Sequence, residues 1–395
     1  MTRPITSIDD LRALVERRVP RMFYQFCESG SWTESTFRAN QNDLTAIRLR
    51  QRVARDITDR SLETTMIGEK VSMPVAIAPT GLAGMLYADG EILGAKAAAK
   101  AHIPFTLPTM SICSIEDVAA HSAVPFWFQL YVMRDKTYVR SLIGRAKAAG
   151  CSALIVTLDL QVVGQRHKDI INGLSAPPRL TLPSLVSMAT KPRWCLHMLQ
   201  TRRRNFGNII GHVKGVDDIQ SIPAWIAEQF DPALSWDDIK WIRDQWAGKL
   251  ILKGILDPED AELATQTGAD AVIVSNHGGR QLDGALSAIS ALPDVARTVG
   301  ARMEVFLDGG IRSGQDVIKA VASGAKAVFI GRSWLYGLGA DGERGVTTAL
   351  NIIRKELDLT MAFCGLRHIE DVDQRILAAP HLHQRSDMRI LAMIT

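Results

Sequence analysis

Eight short apolar runs recur along the chain, each followed by a stretch of helical character, and no other feature restricts the fold as much. The runs cover residues 75–78, 104–107, 126–131, 153–159, 250–254, 271–275, 304–308 and 327–331. They are rich in Val, Ile, Leu and Ala without strict alternation, as strands covered on both faces are. Between them lie helical stretches such as the alanine-rich 90–102, the segment 136–149, and one opened by Asp257-Pro258-Glu259-Asp260, with proline in the first turn. Strand and helix alternating eight times is the arithmetic of a (β/α)8 TIM barrel, an α/β fold whose functional groups gather at the C-terminal ends of its strands. The expectation is a single domain, residues 1–395, with a helical N-terminal extension and a long insertion after the fourth strand at residues 170–235.

In such a barrel the run-ends converge. They supply Thr80 and Gly81, then Pro108, Thr109 and Met110, then Gln129 and Tyr131, Thr157 and Asp159, Lys253, His277 and Arg280, Asp308 and Gly310, and finally Gly331 and Arg332. Polar groups closing otherwise apolar strands are costly to bury unpaired, so packing alone does not account for them. After the sixth run, the imidazole of His277 can take a proton near neutral pH. The planar guanidinium of Arg280 can grip a carboxylate through two parallel hydrogen bonds. Together they point to deprotonation of a carboxylate-bearing substrate. A turn-capping histidine beside a surface ion pair is the blander reading of any lone His/Arg pair, and the convergence of eight strand ends argues against it. After the seventh and eighth runs, Asp308-Gly309-Gly310-Ile311-Arg312 and Ile330-Gly331-Arg332 put small residues, free amides and two guanidiniums where barrels commonly bind a phosphoryl group.

Composition excludes several partners. Over 395 residues the formal net charge is only +4, and no basic run is long enough to track a phosphate backbone, so nucleic acid is not expected. Cys27, Cys113, Cys151, Cys195 and Cys364 are scattered and never form a Cys-x-x-Cys pair, which argues against a disulfide framework or a metal site and fits a reducing compartment. The charged stretch 7–21 lacks the apolar core of a secretory signal. No apolar run reaches the roughly eighteen residues of a membrane-spanning helix.

Two regions lie outside the repeat. In the N-terminal extension, Ser7-Ile8-Asp9-Asp10 is a plausible helix cap, with Leu11, Leu14 and Val15 as an apolar stripe, and Tyr24 reads locally as core. The insertion carries Arg179, Lys191, Arg193, Arg202, Arg203, Arg204 and Lys214 among leucines and Trp194, and has no acidic residue from 170 to 216. A basic, apolar segment of this kind suits an anionic membrane surface. It equally suits a lid over the site or an interface with another subunit.

With these residues laid out, the chain resembles the FMN-dependent 2-hydroxy acid dehydrogenase and oxidase family over nearly its whole length, to about Leu377, and is most similar to membrane-associated, quinone-linked bacterial members. The resemblance is carried by Ser275-Asn276-His277-Gly278-Gly279-Arg280-Gln281-Leu282-Asp283-Gly284, Phe128-Gln129-Leu130-Tyr131, Leu252-Lys253-Gly254-Ile255, Asp308-Gly309-Gly310-Ile311-Arg312 and Ile330-Gly331-Arg332. It implies that FMN is the cofactor and that His277 is the base acting on the hydroxy acid, with Asp159 stabilising the imidazolium. Arg166 and Arg280 would hold the substrate carboxylate, assisted by Tyr24, with Tyr131 near the hydroxyl. Lys253 would lie beside the pyrimidine edge of the flavin, with Gln129, Thr157 and Ser275 as polar contacts and Thr80, Gly81 and Pro108 toward the ring. Asp308, Gly310, Arg312, Gly331 and Arg332 would complete the cofactor site, the last four holding its phosphate. The resemblance further implies a small (S)-2-hydroxy acid substrate, L-lactate first, a quinone acceptor and a homo-oligomer. It also implies a cytoplasmic enzyme, peripheral on the cytoplasmic face of the inner membrane through residues 170–215.

The chain departs from the family at one strand end. Where relatives usually carry serine in a Thr-Leu-Ser-Thr context, it has Thr106-Leu107-Pro108-Thr109, losing a hydroxyl and a backbone donor. FMN binding is still expected, in an altered ring environment. Met110 stands where oxidases often carry a larger aromatic. Three readings therefore stay open beside the quinone-linked one: oxidation by dioxygen, (S)-mandelate as substrate, and a catalytically silent flavin-binding protein.

Overall fold

The computed structural model describes residues 4–174, 181–213, 225 and 228–378. An antiparallel pair, β1 (Thr64–Met66) and β2 (Glu69–Val71), precedes eight parallel strands: β3 (Val75–Ile77), β4 (Thr106–Pro108), β5 (Trp127–Tyr131), β6 (Ala153–Thr157), β7 (Lys249–Ile255), β8 (Ala271–Val274), β9 (Glu304–Asp308) and β10 (Ala327–Ile330). The eight run in the order β3-β10-β9-β8-β7-β6-β5-β4, and a bridge from Ile77 to Phe105 joins the two ends into a barrel. All eight expected strands are therefore present.

Side chains alternate across each strand. The inward set, including Ala76, Trp127, Ile155, Ile251, Ile273, Phe306 and Phe329, forms one buried cluster. The outward set, including Leu154, Val156, Leu252, Val272 and Val274, packs with the surrounding helices in a second and larger one. Burial on both faces is why the runs showed no alternation.

The hairpin β1–β2 had no counterpart among the sequence expectations. Its Ile67-Gly68 turn has positive φ at both residues (+45° and +87°), which suits the twist of a two-residue hairpin. Met66, Ile67 and Val71 fill the N-terminal end of the barrel, where the Ile67 N–H donates to the Glu304 carboxylate at 2.8 Å.

The extension folds as α1 (Ile8–Arg18), α2 (Arg21–Glu28) and α3 (Ser35–Ala46). Ser7 caps α1 in a reciprocal box with Asp10, and Leu11 and Val15 are buried as the stripe required. Within the insertion, helices Leu182–Ala189 and Pro192–Gln200 lie against the extension: the Trp194 indole donates to the Met85 carbonyl (2.8 Å) and its ring stacks on Phe23. Its basic residues do not all face outward. Arg203 is paired with Asp89 and Asp117, acids of a kind that residues 170–216 lack, and Lys191 donates to the Arg17 carbonyl of α1. Arg193 and Arg202 are exposed, while Arg179 and Lys214 lie outside the described residues. Leu182, Leu185, Val186, Leu196 and Leu199 are exposed, Leu182 at 74%. Among the described residues no helix is long and apolar enough to cross a membrane.

Candidate active site

The alternation that buries Ile155 and Ile251 inside the barrel carries on to its C-terminal rim. Two residues further along the same inward rows stand Thr157 and Lys253, and the rows of Trp127, Ile273, Phe306 and Phe329 lead in the same way to Gln129, Ser275, Asp308 and Gly331. A cavity of about 300 Å³ opens there. Its walls include Thr80, Gly81, Pro108, Tyr131, Arg166, Lys253, His277, Arg280, Asp308, Gly310, Arg312, Gly331 and Arg332.

His277 Nδ1 lies 2.8 Å from Asp159 Oδ1. A carboxylate at that distance fixes the proton on Nδ1 and leaves Nε2 as the free lone pair. Burial would raise the Asp159 pKa, but His277 and Lys253 outweigh it and hold the carboxyl below its ordinary value. His277 itself occupies the left-handed region (φ +58°), uncommon for a non-glycine residue and a local cost held by its surroundings. The Gln281 amide braces the partner, donating to the carbonyls of Asp159 (2.6 Å) and Val162 (2.8 Å). At Gly254 the strand β7 bulges (φ +104°), and a Cβ there would stand 2.8 Å from that of Asp159.

Arg280 donates to the carbonyls of Phe26 (2.6 Å) and Ser29 (2.9 Å) and lies over the Phe26 ring. Arg166 Nε is bound to Asp169, which is also 4.0 Å from Arg280. Burial, then Arg166, push the Arg280 pKa down to about 9 despite Asp169, so this corner carries more positive charge than its own groups neutralise. Tyr131 is pushed up to about 12 by burial and then by Asp159, so its phenol stays neutral at physiological pH.

On the far side Lys253 Nζ lies 3.0 Å from Asp308 Oδ2 and donates to Ser275 Oγ at 2.8 Å. Burial would lower its pKa, but Asp308 and Asp159 raise it above the ordinary value, so it is a permanent cation. Gln129 donates to Thr157 Oγ1 (3.0 Å) beneath the cavity. Arg332 donates to the carbonyls of Cys27 (2.6 Å), Ser29 (2.9 Å) and Gly278 (3.1 Å). Thr80 Oγ1, Asp159 Oδ2 and Asp308 Oδ1 are buried and have no hydrogen-bond partner among the described residues. Lys253, Arg166, Arg280, Arg312 and Arg332 outnumber the carboxylates Asp159, Asp169 and Asp308. Unpaired polar atoms under a surplus of cations fit a large polar ligand with an anionic end, as FMN is, together with a carboxylate.

Sequence reasoning and structure part company at Tyr24. The cavity wall contributed by α2 is Phe26 and Cys27, whereas Tyr24 is buried off that wall. Its pKa is raised by burial and by Glu28, against Arg12, because the helix turns the phenol toward those two charges. Asp169, Gln281, and the buried pair Asn40 and Asn276 were not anticipated. For Gln281 and the Asn40–Asn276 pair the signal is spatial, since each acts on a residue distant in sequence, whereas Asp169 holds Arg166 three residues before it.

Fold and site together define an FMN-dependent dehydrogenase. A family model of that description matches residues 15–379, and the chain belongs to this family, as a dehydrogenase acting on 2-hydroxy acids. It is 45% identical over 377 residues to the L-lactate dehydrogenase of Pseudomonas syringae pv. syringae (strain B728a), covering 94% of this chain and 98% of that protein. With the L-lactate dehydrogenase of Caulobacter vibrioides (strain NA1000 / CB15N) it shares 44% over 375 residues, covering 95% and 98%. The crystal structure of the monotopic membrane protein (S)-mandelate dehydrogenase superposes with a TM-score of 0.91 at 35% identity, over 96% of this chain and 100% of that one.

Proposed function

We propose that the protein oxidises L-lactate to pyruvate and passes the electrons to a membrane quinone. The observation that carries this reading is the His277–Asp159 pair at 2.8 Å, set between two arginines and a buried lysine around one cavity. L-lactate is favoured by 45% and 44% identity to dehydrogenases of that name, against 35% to one acting on (S)-mandelate.

Arg166 and Arg280 would receive the substrate carboxylate, which offsets the burial, and then the repulsion from Arg166, that depress Arg280. The neutral Tyr131 phenol donates a hydrogen bond to the bound acid. His277 Nε2 then removes a proton from the α-hydroxy acid, and Asp159 stabilises the imidazolium without itself taking the proton. FMN, when bound, accepts the two electrons released. Lys253 keeps its charge beside the site and so favours negative charge developing there. Phosphate binding would fall to Gly310, Arg312, Gly331 and Arg332, and ring contacts to Thr80, Gly81, Pro108, Gln129, Thr157 and Ser275.

The exposed leucines of 182–199 and the basic Arg193 and Arg202 suit a membrane surface and support a peripheral membrane enzyme, which on this reading sits at the cytoplasmic face and meets quinone there. A homo-oligomer belongs to the same reading. Steady-state rates with L-lactate, (S)-mandelate and glycolate, each measured with a quinone analogue and with dioxygen, provide the test. The expected result is fastest turnover with L-lactate and quinone analogue; rapid peroxide formation, or preference for (S)-mandelate, would overturn it.

A further inference from the structure

The insertion is fastened to the barrel by a residue that the proposed chemistry does not use. Most of its described side chains from Leu182 to His212 are exposed or half-buried, yet Asn208 is 0% exposed. Its oxygen Oδ1 accepts from the Ile115 N–H (3.0 Å) and Arg145 Nη2 (3.1 Å), and its backbone carbonyl accepts from Tyr138 Oη (2.9 Å) and Arg145 Nη1 (3.2 Å). The amide nitrogen points the other way, toward Ser111 Oγ (3.0 Å), the Thr109 carbonyl (3.3 Å) and the Pro108 carbonyl (3.5 Å). The preceding Gly207 donates to the carbonyls of Ser111 and Ile112 at 3.2 Å. A Cβ on Gly207 would stand 2.7 Å from Ser114 N and 2.8 Å from the Ile112 carbonyl, so only glycine permits this approach.

The fastened segment matters because β4 is three residues long and ends at Pro108, which with Met110 lines the cavity. Proline offers no N–H to tie that end inward, and buried carbonyls require partners. Asn208 supplies them from outside the barrel. We propose that Asn208 is a positioning residue for the cofactor: it fixes the strand end Pro108-Thr109-Met110 against which the flavin rests, and so makes the insertion part of the FMN site. This rests on the assignment of Pro108 to the flavin face.

The test uses FMN-loaded full-length protein. Asn208→Asp keeps the oxygen that serves Ile115 and Arg145 and turns the donating nitrogen into an acceptor facing two carbonyls. Expected are a shifted flavin absorbance maximum and midpoint potential, kcat reduced more than KM rises, a lower melting temperature in a protein that still folds, and FMN binding weaker by roughly tenfold, the worth of one or two hydrogen bonds. Arg145→Gln, which cuts the opposite side of Asn208, leaves spectrum and potential at the parent values. A folded N208D protein with parental spectrum, potential and FMN affinity overturns the proposal, as does an equal flavin shift in R145Q. Should N208D not fold, Asn208→Ser is judged by the same measurements. Pro108→Ser separates the two claims. If it leaves the spectrum unmoved, the placement of Pro108 fails; if it shifts the spectrum while N208D does not, only the role of Asn208 falls.

Discussion

Asn40 and Asn276 face each other across 236 residues of chain and exchange hydrogen bonds, each Nδ2 donating to the other's Oδ1 at 2.9 and 2.8 Å. Asn276 also accepts from the Gly279 N–H at 3.0 Å and donates to the Leu286 carbonyl, so the pair pins the turn in which His277 holds its positive φ. Asn40→Ala leaves a buried amide unsatisfied, a loss of about 1–3 kcal/mol. We expect a lower melting temperature together with reduced kcat, since the turn that presents the imidazole loosens. Unchanged kcat in a destabilised variant would count against this link.

The base can be removed without removing the cofactor. His277→Gln should lower kcat on the order of 10²–10⁴-fold, the usual contribution of a general base. FMN content should stay at the parent level. Rapid-mixing measurements of flavin bleaching by L-lactate separate the slowed chemical step from substrate binding. Asp159→Asn should fall in the same range, with the imidazole held in place but its cation unsupported.

Arg280→Lys replaces a planar fork by a point charge. The carbonyls of Phe26 and Ser29, which Arg280 now satisfies, would lose part of their donors. Loss of one buried partner of a carboxylate costs about 2–5 kcal/mol, so kcat/KM should drop by roughly 30-fold or more. Inhibitor binding by oxalate, a planar dicarboxylate, provides an independent reading of the same contact.

Acid sensitivity has an identifiable contributor. Glu116 is held at about 2, against an ordinary 4.5, chiefly by the side-chain hydrogen bonds of Arg145. The unfolded chain therefore takes up this proton first as pH falls. The stabilisation is complete above pH 4.5 and is lost progressively toward pH 2. Glu116→Gln should flatten the decline of melting temperature across that window and leave the neutral-pH rate intact.

The outer face of the insertion should decide membrane attachment. Leu182, Leu185 and Val186 stand one turn apart on one helix, and Leu196 and Leu199 on the next, all exposed. Replacing these five by serine or asparagine should abolish co-sedimentation with anionic vesicles while turnover with a water-soluble acceptor persists. Parent protein that stays in the supernatant at low salt would defeat the membrane reading.

The barrel was legible because burial on both faces writes continuous apolar runs, and the site was legible because those runs end in ionisable residues. His277, Arg280, Lys253 and Asp308 needed only their position at a strand end. The hairpin β1–β2 escaped because strands of three residues, one of them carrying Glu69 and Lys70, have almost no period. The two readings of Tyr24 divide: its burial agrees with the local reading as core, whereas the substrate contact implied by the resemblance is not on the cavity wall, where α2 presents Phe26 two residues further on. Asn40, Asn208 and Gln281 act through partners distant in sequence, so nothing beside them in the chain marks them.

The hairpin that stoppers the lower rim gives the barrel the character of a cup. With Met66, Ile67 and Val71 buried among the first residues of its strands, apolar side chains among the described residues fill that end. On the proposed function, hydroxy acid, keto acid and electron acceptor would share the mouth at the upper rim, where Phe206 of the insertion lines the cavity. Traffic through that mouth is then a matter of turns taken, and a molecule that lingers there obstructs both halves of the cycle at once.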